Sequence, residues 1–232
     1  MKRIIDLSYP IKDSMPVFPG DPGVSFERVS AIHEGGYNVT RVSMSTHTAT
    51  HVDVPHHVLP GDKGVDSIPL DSLVGWAEVL DLGELTATVA PGSEPGASHS
   101  TTGTEITSAD LDKFASRITE GARLLLRTGW GKHWGSDDFY TGFPGLSEGA
   151  AAWLLARKVK LVGLEQPSVH TTLHREVHKA LLASGMVVLE TVANMHEITT
   201  QRVYLAALPV KLAGLDGAPT RVVAIEGLEV SE

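Results

Sequence analysis

Three observations predict an α/β fold with a mixed β-sheet core and flanking helices. The first third of the chain is rich in short strand-like runs. The second half alternates strand and helix patterns, the mark of an α/β layer. Hydrophobic residues make up 42% of the 232 residues and charged residues 20%, enough for one sizeable core in a single domain spanning residues 1–232. The strand-rich beginning argues for a mixed sheet over a doubly wound parallel one.

Taken in order, residues 3–7, 24–32 and 39–45 are strand-like runs bounded by Pro, Gly and Asn signals. Residues 16–23 read P-V-F-P-G-D-P-G, a rigid loop with three prolines. Residues 76–82 form a further strand. Ser, Thr, Gly, Pro and Ala dominate positions 84–105, which read as a mobile surface excursion. Residues 109–117 look helical, with Thr107 and Asp110 placed as a short-acid capping box. An apolar strand follows at 122–128, then a helix over 148–158 with Ser147 as its N-cap. A strand at 159–164 leads to a helix over 171–184 that Gly185 stops. Strands at 186–192, 204–210 and 221–226 complete the chain.

Composition excludes several functions. A formal net charge of −9 with no basic run argues against nucleic acid or an anionic membrane as partner. The absence of cysteine removes disulfides, thiolate ligands and a cysteine nucleophile. The first residues lack the apolar core of a signal peptide, and no apolar run approaches membrane-spanning length. A cytoplasmic protein acting on a small molecule is the expectation. Gly20-Asp21-Pro22-Gly23 does not precede a helix, so it predicts no phosphate loop. Ser45 and Ser168 lack a nucleophile-elbow setting, and Ser168 reads as a turn or cap residue.

The densest chemistry lies in S-T-H-T-A-T-H-V-D-V-P-H-H, residues 45–57. His47, His51, Asp53, His56 and His57 supply the nitrogen and carboxylate donors that suit a divalent ion such as zinc or manganese. A solvated histidine tract would sit in a polar, low-complexity setting. Here Val52, Val54, Pro55, Val58 and Leu59 interleave with the histidines. In an extended chain His47, His51, Asp53 and His57 share one side and His56 points away. A second concentration lies downstream. His170, His174 and His178 are spaced to share one helix face, and Glu190 ends the apolar run M-V-V-L-E. Carboxylates are seldom buried unless paired or metal-bound.

These residues resemble the cyclase family of metal-dependent hydrolases, which includes kynurenine formamidases and isatin hydrolases. The family's H-x-G-T-H-x-D-x-P-x-H is met by His47-Thr48-Ala49-Thr50-His51-Val52-Asp53-Val54-Pro55-His56-His57, with Ala49 in place of the glycine. Asp6-Leu7-Ser8, Met15 to Asp21, Arg127-Thr128-Gly129-Trp130, Pro144-Gly145-Leu146-Ser147, Glu165 to Val169, Val188-Leu189-Glu190 and Ala207 to Leu212 match further signatures in the right order. The resemblance implies a swivelling β/β/α-like architecture. It also implies His47, His51, Asp53 and Glu190 as metal ligands, with His178 completing a second site. Asp53 and Glu190 would bridge two ions, and His57 would be the general acid/base. Phe18 stands where formamidases place a tryptophan against the substrate ring. Glu165-Gln166 and His170 depart from the family's usual pocket residues. A homodimer or homotetramer is also implied.

The chemistry expected is hydrolysis of a small amide, formamide or cyclic imide by metal-activated water, with one or two zinc or manganese ions per subunit. The alternatives are a lactone hydrolase or ring-closing cyclase on the same site, or a metal-binding homologue without turnover.

Overall fold

The structure is a computed structural model describing residues 2–61, 63–83, 104–136 and 138–228. Strands β1 (Arg3–Asp6), β2 (Ser25–Ser30), β3 (Val39–Ser43), β4 (His51–Asp53) and β5 (Val74–Asp81) occupy the first part of the chain. They are followed by β6 (Glu105–Ile106), β7 (Arg123–Arg127), β8 (Gly145–Leu146), β9 (Leu161–Leu164), β10 (Val187–Glu190), β11 (Arg202–Pro209) and β12 (Gly217–Glu226). The helices are α1 (Leu70–Leu73), α2 (Ser108–Asp112), α3 (Glu148–Ala156) and α4 (His174–Ala183). The excursion expected at 84–105 lies outside the described residues as far as position 103.

One mixed sheet holds eight strands in the order β1-β12-β11-β5-β7-β9-β10-β4, and β4 also pairs with β12. That second pairing closes the sheet into a barrel-like core. β5, β7, β9 and β10 are parallel neighbours; the other pairs are antiparallel. The parallel strands need crossovers, and α3 and α4 lie on those connections.

Strand periodicity separates two cores. Val79, Leu125, Leu161, Val187 and Leu189 fill the barrel with Val203, Leu205, Val222 and Ala224. Their neighbours Leu80, Leu124, Leu126, Val162, Leu164 and Val188 pack the other way, with Leu154, Val177 and Leu181 of the helices. The parallel strands are thus apolar on both faces, as covered parallel strands are. Gly163 has the same parity as Leu161, and an added Cβ there would lie 2.6 Å from Leu125 Cδ2. β2 and β3 form a separate two-stranded ribbon whose residues are almost all exposed.

Several elements differ from expectation for local reasons. The helix expected over 109–117 is α2 followed by a 3-10 turn at Ala115–Arg117; its capping box of Thr107 and Asp110 is formed. Ser147 caps α3 by accepting from Ala150 N. The helix expected from residue 171 starts only at His174. The His170 imidazole Nδ1 accepts from the Thr172 and Leu173 N–H groups, at 3.0 and 2.9 Å, and holds those residues outside the helix. β12 begins four residues before its expected start because Gly217 and Pro219, which read as strand breakers, pair with Asp53 and His51 of β4.

Candidate metal centre

Two short strands and one helix assemble the donors. In β4, Val52 turns into the barrel core, so His51 and Asp53 face the outer side. In β10, Leu189 does the same and Glu190 faces outward. Glu190 pairs directly with His51, and Val188 with Asp53. Helix α4 packs on this face and supplies His178, which is 4% exposed. His51, Asp53 and Glu190 are 3%, 1% and 3% exposed.

The remaining histidines reach the site by turns. Parity along an extended strand accounts only for His51 and Asp53, because β4 is three residues long. Ala49 adopts a left-handed backbone, φ 54°, and the turn brings His47 back over the strand. Pro55–His57 is a 3-10 turn, and it swings His57 toward His47, with ring centroids 4.2 Å apart. The four expected residues do converge, but the turns place two of them. His56 does not line the site. Gly217 makes room for His47, since a Cβ there would lie 2.9 Å from its Cε1 and 2.7 Å from Val52 O.

The donor atoms crowd around Asp53. Its Oδ1 lies 2.7 Å from His47 Nδ1 and 3.4 Å from His51 Nε2. His178 Nε2 lies 3.0 Å from Glu190 Oε1 and 3.3 Å from Asp53 Oδ2. His51 Nε2 is 3.5 Å from Glu190 Oε2. Candidate ligand atoms of His51, Asp53 and Glu190 all lie within 4.8 Å of one another, as do those of His47, Asp53 and His57. Asp53 belongs to both groups.

The chemistry of this donor set fits a divalent cation. His51 Nδ1 donates to Ala49 O at 2.8 Å and His178 Nδ1 to His174 O at 2.7 Å. That fixes the tautomers and leaves both Nε2 atoms as lone pairs aimed at carboxylates. Facing lone pairs need a cation between them. Asp53 Oδ2 is buried and accepts no hydrogen bond, a costly state for a carboxylate oxygen unless a cation meets it.

Without a metal, protons meet the need. Burial pulls His47 and His178 down, but the carboxylates Asp53, Asp216 and Glu190 overcome it. They push His47 up to about 11 and His178 up to about 10. Burial would raise Asp53, yet His47 and His51 hold it well below the usual carboxylate range. His57 moves the other way. Burial lowers it, and His47 and His178 add to that against the pull of Asp53.

A cavity of about 430 Å³ opens onto these groups. Phe18 lines it and meets Tyr140 edge-to-face at 6.1 Å. Of the three histidines expected on one helix face, only His178 joins the donor cluster. His174 lines the cavity, and His170 lies outside the helix as the cap of its leading turn.

Sequence reasoning missed Asp216, whose Oδ2 lies 2.7 Å from His47 Nε2 and 3.8 Å from His57 Nδ1. It stands between β11 and β12, where no spacing links it to the histidine motif. Asp21 and Arg175, also on the cavity wall, were equally silent in sequence. Glu165 is buried for a structural purpose. It accepts from Thr128 N at 2.7 Å and Gly129 N at 2.6 Å.

A buried set of histidines and carboxylates on the outer face of a mixed barrel, open to a cavity, has the make-up of a metal-dependent hydrolase site. The chain belongs to the Cyclase family, whose model matches residues 5–171. It is 31% identical over 222 residues to a kynurenine formamidase of Bacillus mycoides, covering 94% of this chain and 95% of that one. Isatin hydrolase A from Labrenzia aggregata, solved with benzyl benzoate, superposes with a TM-score of 0.78 at 27% identity, covering 97% of this chain and 93% of that one. A structure described as a potential metal-dependent hydrolase with cyclase activity matches with a TM-score of 0.77 at 26% identity, over 99% and 100% of the two chains.

Proposed function

We propose that this chain hydrolyses a small planar amide, of the aryl formamide or cyclic imide class. It would use one or two zinc or manganese ions, which His47, His51, Asp53, His178 and Glu190 would hold. The observation that carries the reading is the buried, unbonded Asp53 Oδ2 at the centre of this donor set. The kynurenine formamidase and isatin hydrolase relatives support the C–N bond class.

A divalent ion bound there supplies Lewis acidity toward a carbonyl and lowers the pKa of water to about 7. The protein's own groups do the rest. His57 sits at the cavity, its pKa held below the usual imidazole value by burial. It is therefore neutral near pH 7, ready to take a proton from water and return it to the leaving nitrogen. Asp216 accepts at His47 Nε2 and fixes that ring. Phe18 offers an apolar face to a flat substrate.

The test is a panel of N-formyl aryl amines, isatins, cyclic imides and lactones, assayed with zinc, manganese and metal-free protein, with metal analysis on the same samples. Metal-dependent turnover of the amides is expected. Turnover of lactones alone, or ring closure, would move the assignment to the alternative chemistries. His57→Ala should lower kcat by about 10²–10⁴-fold with metal content intact, whereas a non-catalytic metal binder has no activity to lose.

A homodimer or homotetramer in the cytoplasm is part of the same reading. Among the described residues no helix is long and apolar enough to cross a membrane. The β2–β3 ribbon and its connection expose Phe26, Val29, Ile32, Tyr37, Val39 and Val42, and an isolated two-stranded ribbon is marginal in water. A second subunit covering it meets both facts. Light scattering at micromolar concentration checks this, and a monomer would refute it.

A further inference from the structure

We propose that Arg175 and Ser168 form an anion subsite beside the metal centre, so that the amide hydrolysed carries a carboxylate or similar anionic group. This rests on the hydrolase reading above and names its substrate class. Among the described residues lining the cavity, Arg175 is the one lysine or arginine. Arg3, Arg41, Arg117, Arg127, Arg202 and Arg221 each meet a carboxylate. Arg175 meets none among the described residues, although the chain carries a net charge of −9.

Its position is specific. Arg175 lies in the first turn of α4, three residues before His178. It therefore stands on nearly the same helix face as that donor, about 5 Å further along the axis. That offset suits a planar molecule whose amide lies at the donors and whose anionic group lies at the guanidinium.

Ser168 provides an independent observation. It lines the same cavity and is 4% exposed, yet its hydroxyl makes no hydrogen bond among the described residues. Ser168 lies in a bend, as the turn role read from sequence has it, but its hydroxyl caps nothing. Its oxygen is reached from the cavity rather than sealed in the core, so a molecule bound there can partner it. A guanidinium only donates, and a hydroxyl can donate alongside it. A ligand that accepts from both is an anion, and a carboxylate matches the planar fork of arginine. With Phe18 on the same cavity wall, the expected ligand is a flat ring with an anionic substituent.

The test compares paired substrates, an N-formyl aryl amine with a ring carboxylate and its neutral carboxamide counterpart, on the metal-loaded protein. Wild type should favour the carboxylate form by about tenfold in kcat/KM, expressed in KM. Arg175→Ala should bring that ratio near one and Arg175→Glu should invert it. Ser168→Ala should reduce it by about threefold. A wild-type ratio near one, or a ratio unchanged in Arg175→Ala, would overturn the subsite.

Binding of benzenesulfonate, a poor metal ligand, read by calorimetry, separates this from failure of the hydrolase reading. If neither amide turns over, sulfonate binding weakened at least about tenfold by Arg175→Glu still upholds the subsite. Absence of sulfonate binding to wild type rejects it.

Discussion

The two walls of the cavity are built differently. On one, His51, Asp53, His178 and Glu190 are each under 5% exposed, and backbone carbonyls fix the ring edges of both histidines. On the other, Phe18 is half-buried, while His174 and Arg175 are exposed. Strand pairing and the buried side of α4 lock the first wall; a proline-rich loop and the exposed first turn of α4 make the second. The difference teaches where selection can act independently. Changes to the strand wall disturb metal and fold together, whereas changes to the loop wall should alter which molecule is accepted.

The sharpest way to break that contrast is Asp53→Ala. It removes the carboxylate shared by both donor groups and leaves buried histidines uncompensated, at a cost of about 3–5 kcal/mol. Elemental analysis should find little metal and thermal unfolding should shift downward. Full metal retention would overturn the ligand assignment.

Metal removal should expose the same wall to pH. His178 is raised to about 10 in the metal-free protein, against about 6.5 when unfolded. A raised histidine stabilises fully below the unfolded value and loses that contribution as pH climbs through the folded one. Metal-free protein should therefore weaken between about pH 6.5 and pH 10, and metal-loaded protein should not. Denaturant titrations across that range, with and without chelator, decide the point.

Phe18→Ala probes the other wall. A pocket role predicts a KM raised by about tenfold with metal content unchanged and stability altered by about 1 kcal/mol or less. A core role would cost about 3–5 kcal/mol instead. The smallest effect is expected at Ala49, where an alanine holds a left-handed φ of 54°. Relief of that strain in Ala49→Gly is partly offset by greater unfolded-state freedom, leaving a gain of about 1 kcal/mol or less. A clear loss of stability would show that the methyl group packs usefully.

How legible these walls were in sequence follows from their construction. Parity in an extended chain put His51 and Asp53 on one side, and Glu190 stood out as a carboxylate that ends an apolar run. The helical spacing put His170 on one face with His174 and His178, but His170 caps the turn before the helix, and it was the family resemblance that singled out His178. Most barrel strands were visible as short apolar runs. β4 was not read as a strand, because three residues between two turns offer no periodicity. Its partner segment in β12 was hidden by Gly217 and Pro219. Asp216 meets His47 through proximity created by the closed sheet, and nothing local announces such proximity.

The double pairing of β4 makes that strand a clasp. Its three residues bridge β10 and β12, segments more than 130 positions away in the chain. Contacts so distant in sequence carry a high loop-closure cost and form late. The ring cannot close without the β4–β10 pairing that brings His51 and Asp53 to Glu190. A newly made chain would gain its ion-holding capacity at the end of folding, not along the way. An ion added before that moment would meet scattered side chains, and one added after it would latch the clasp shut.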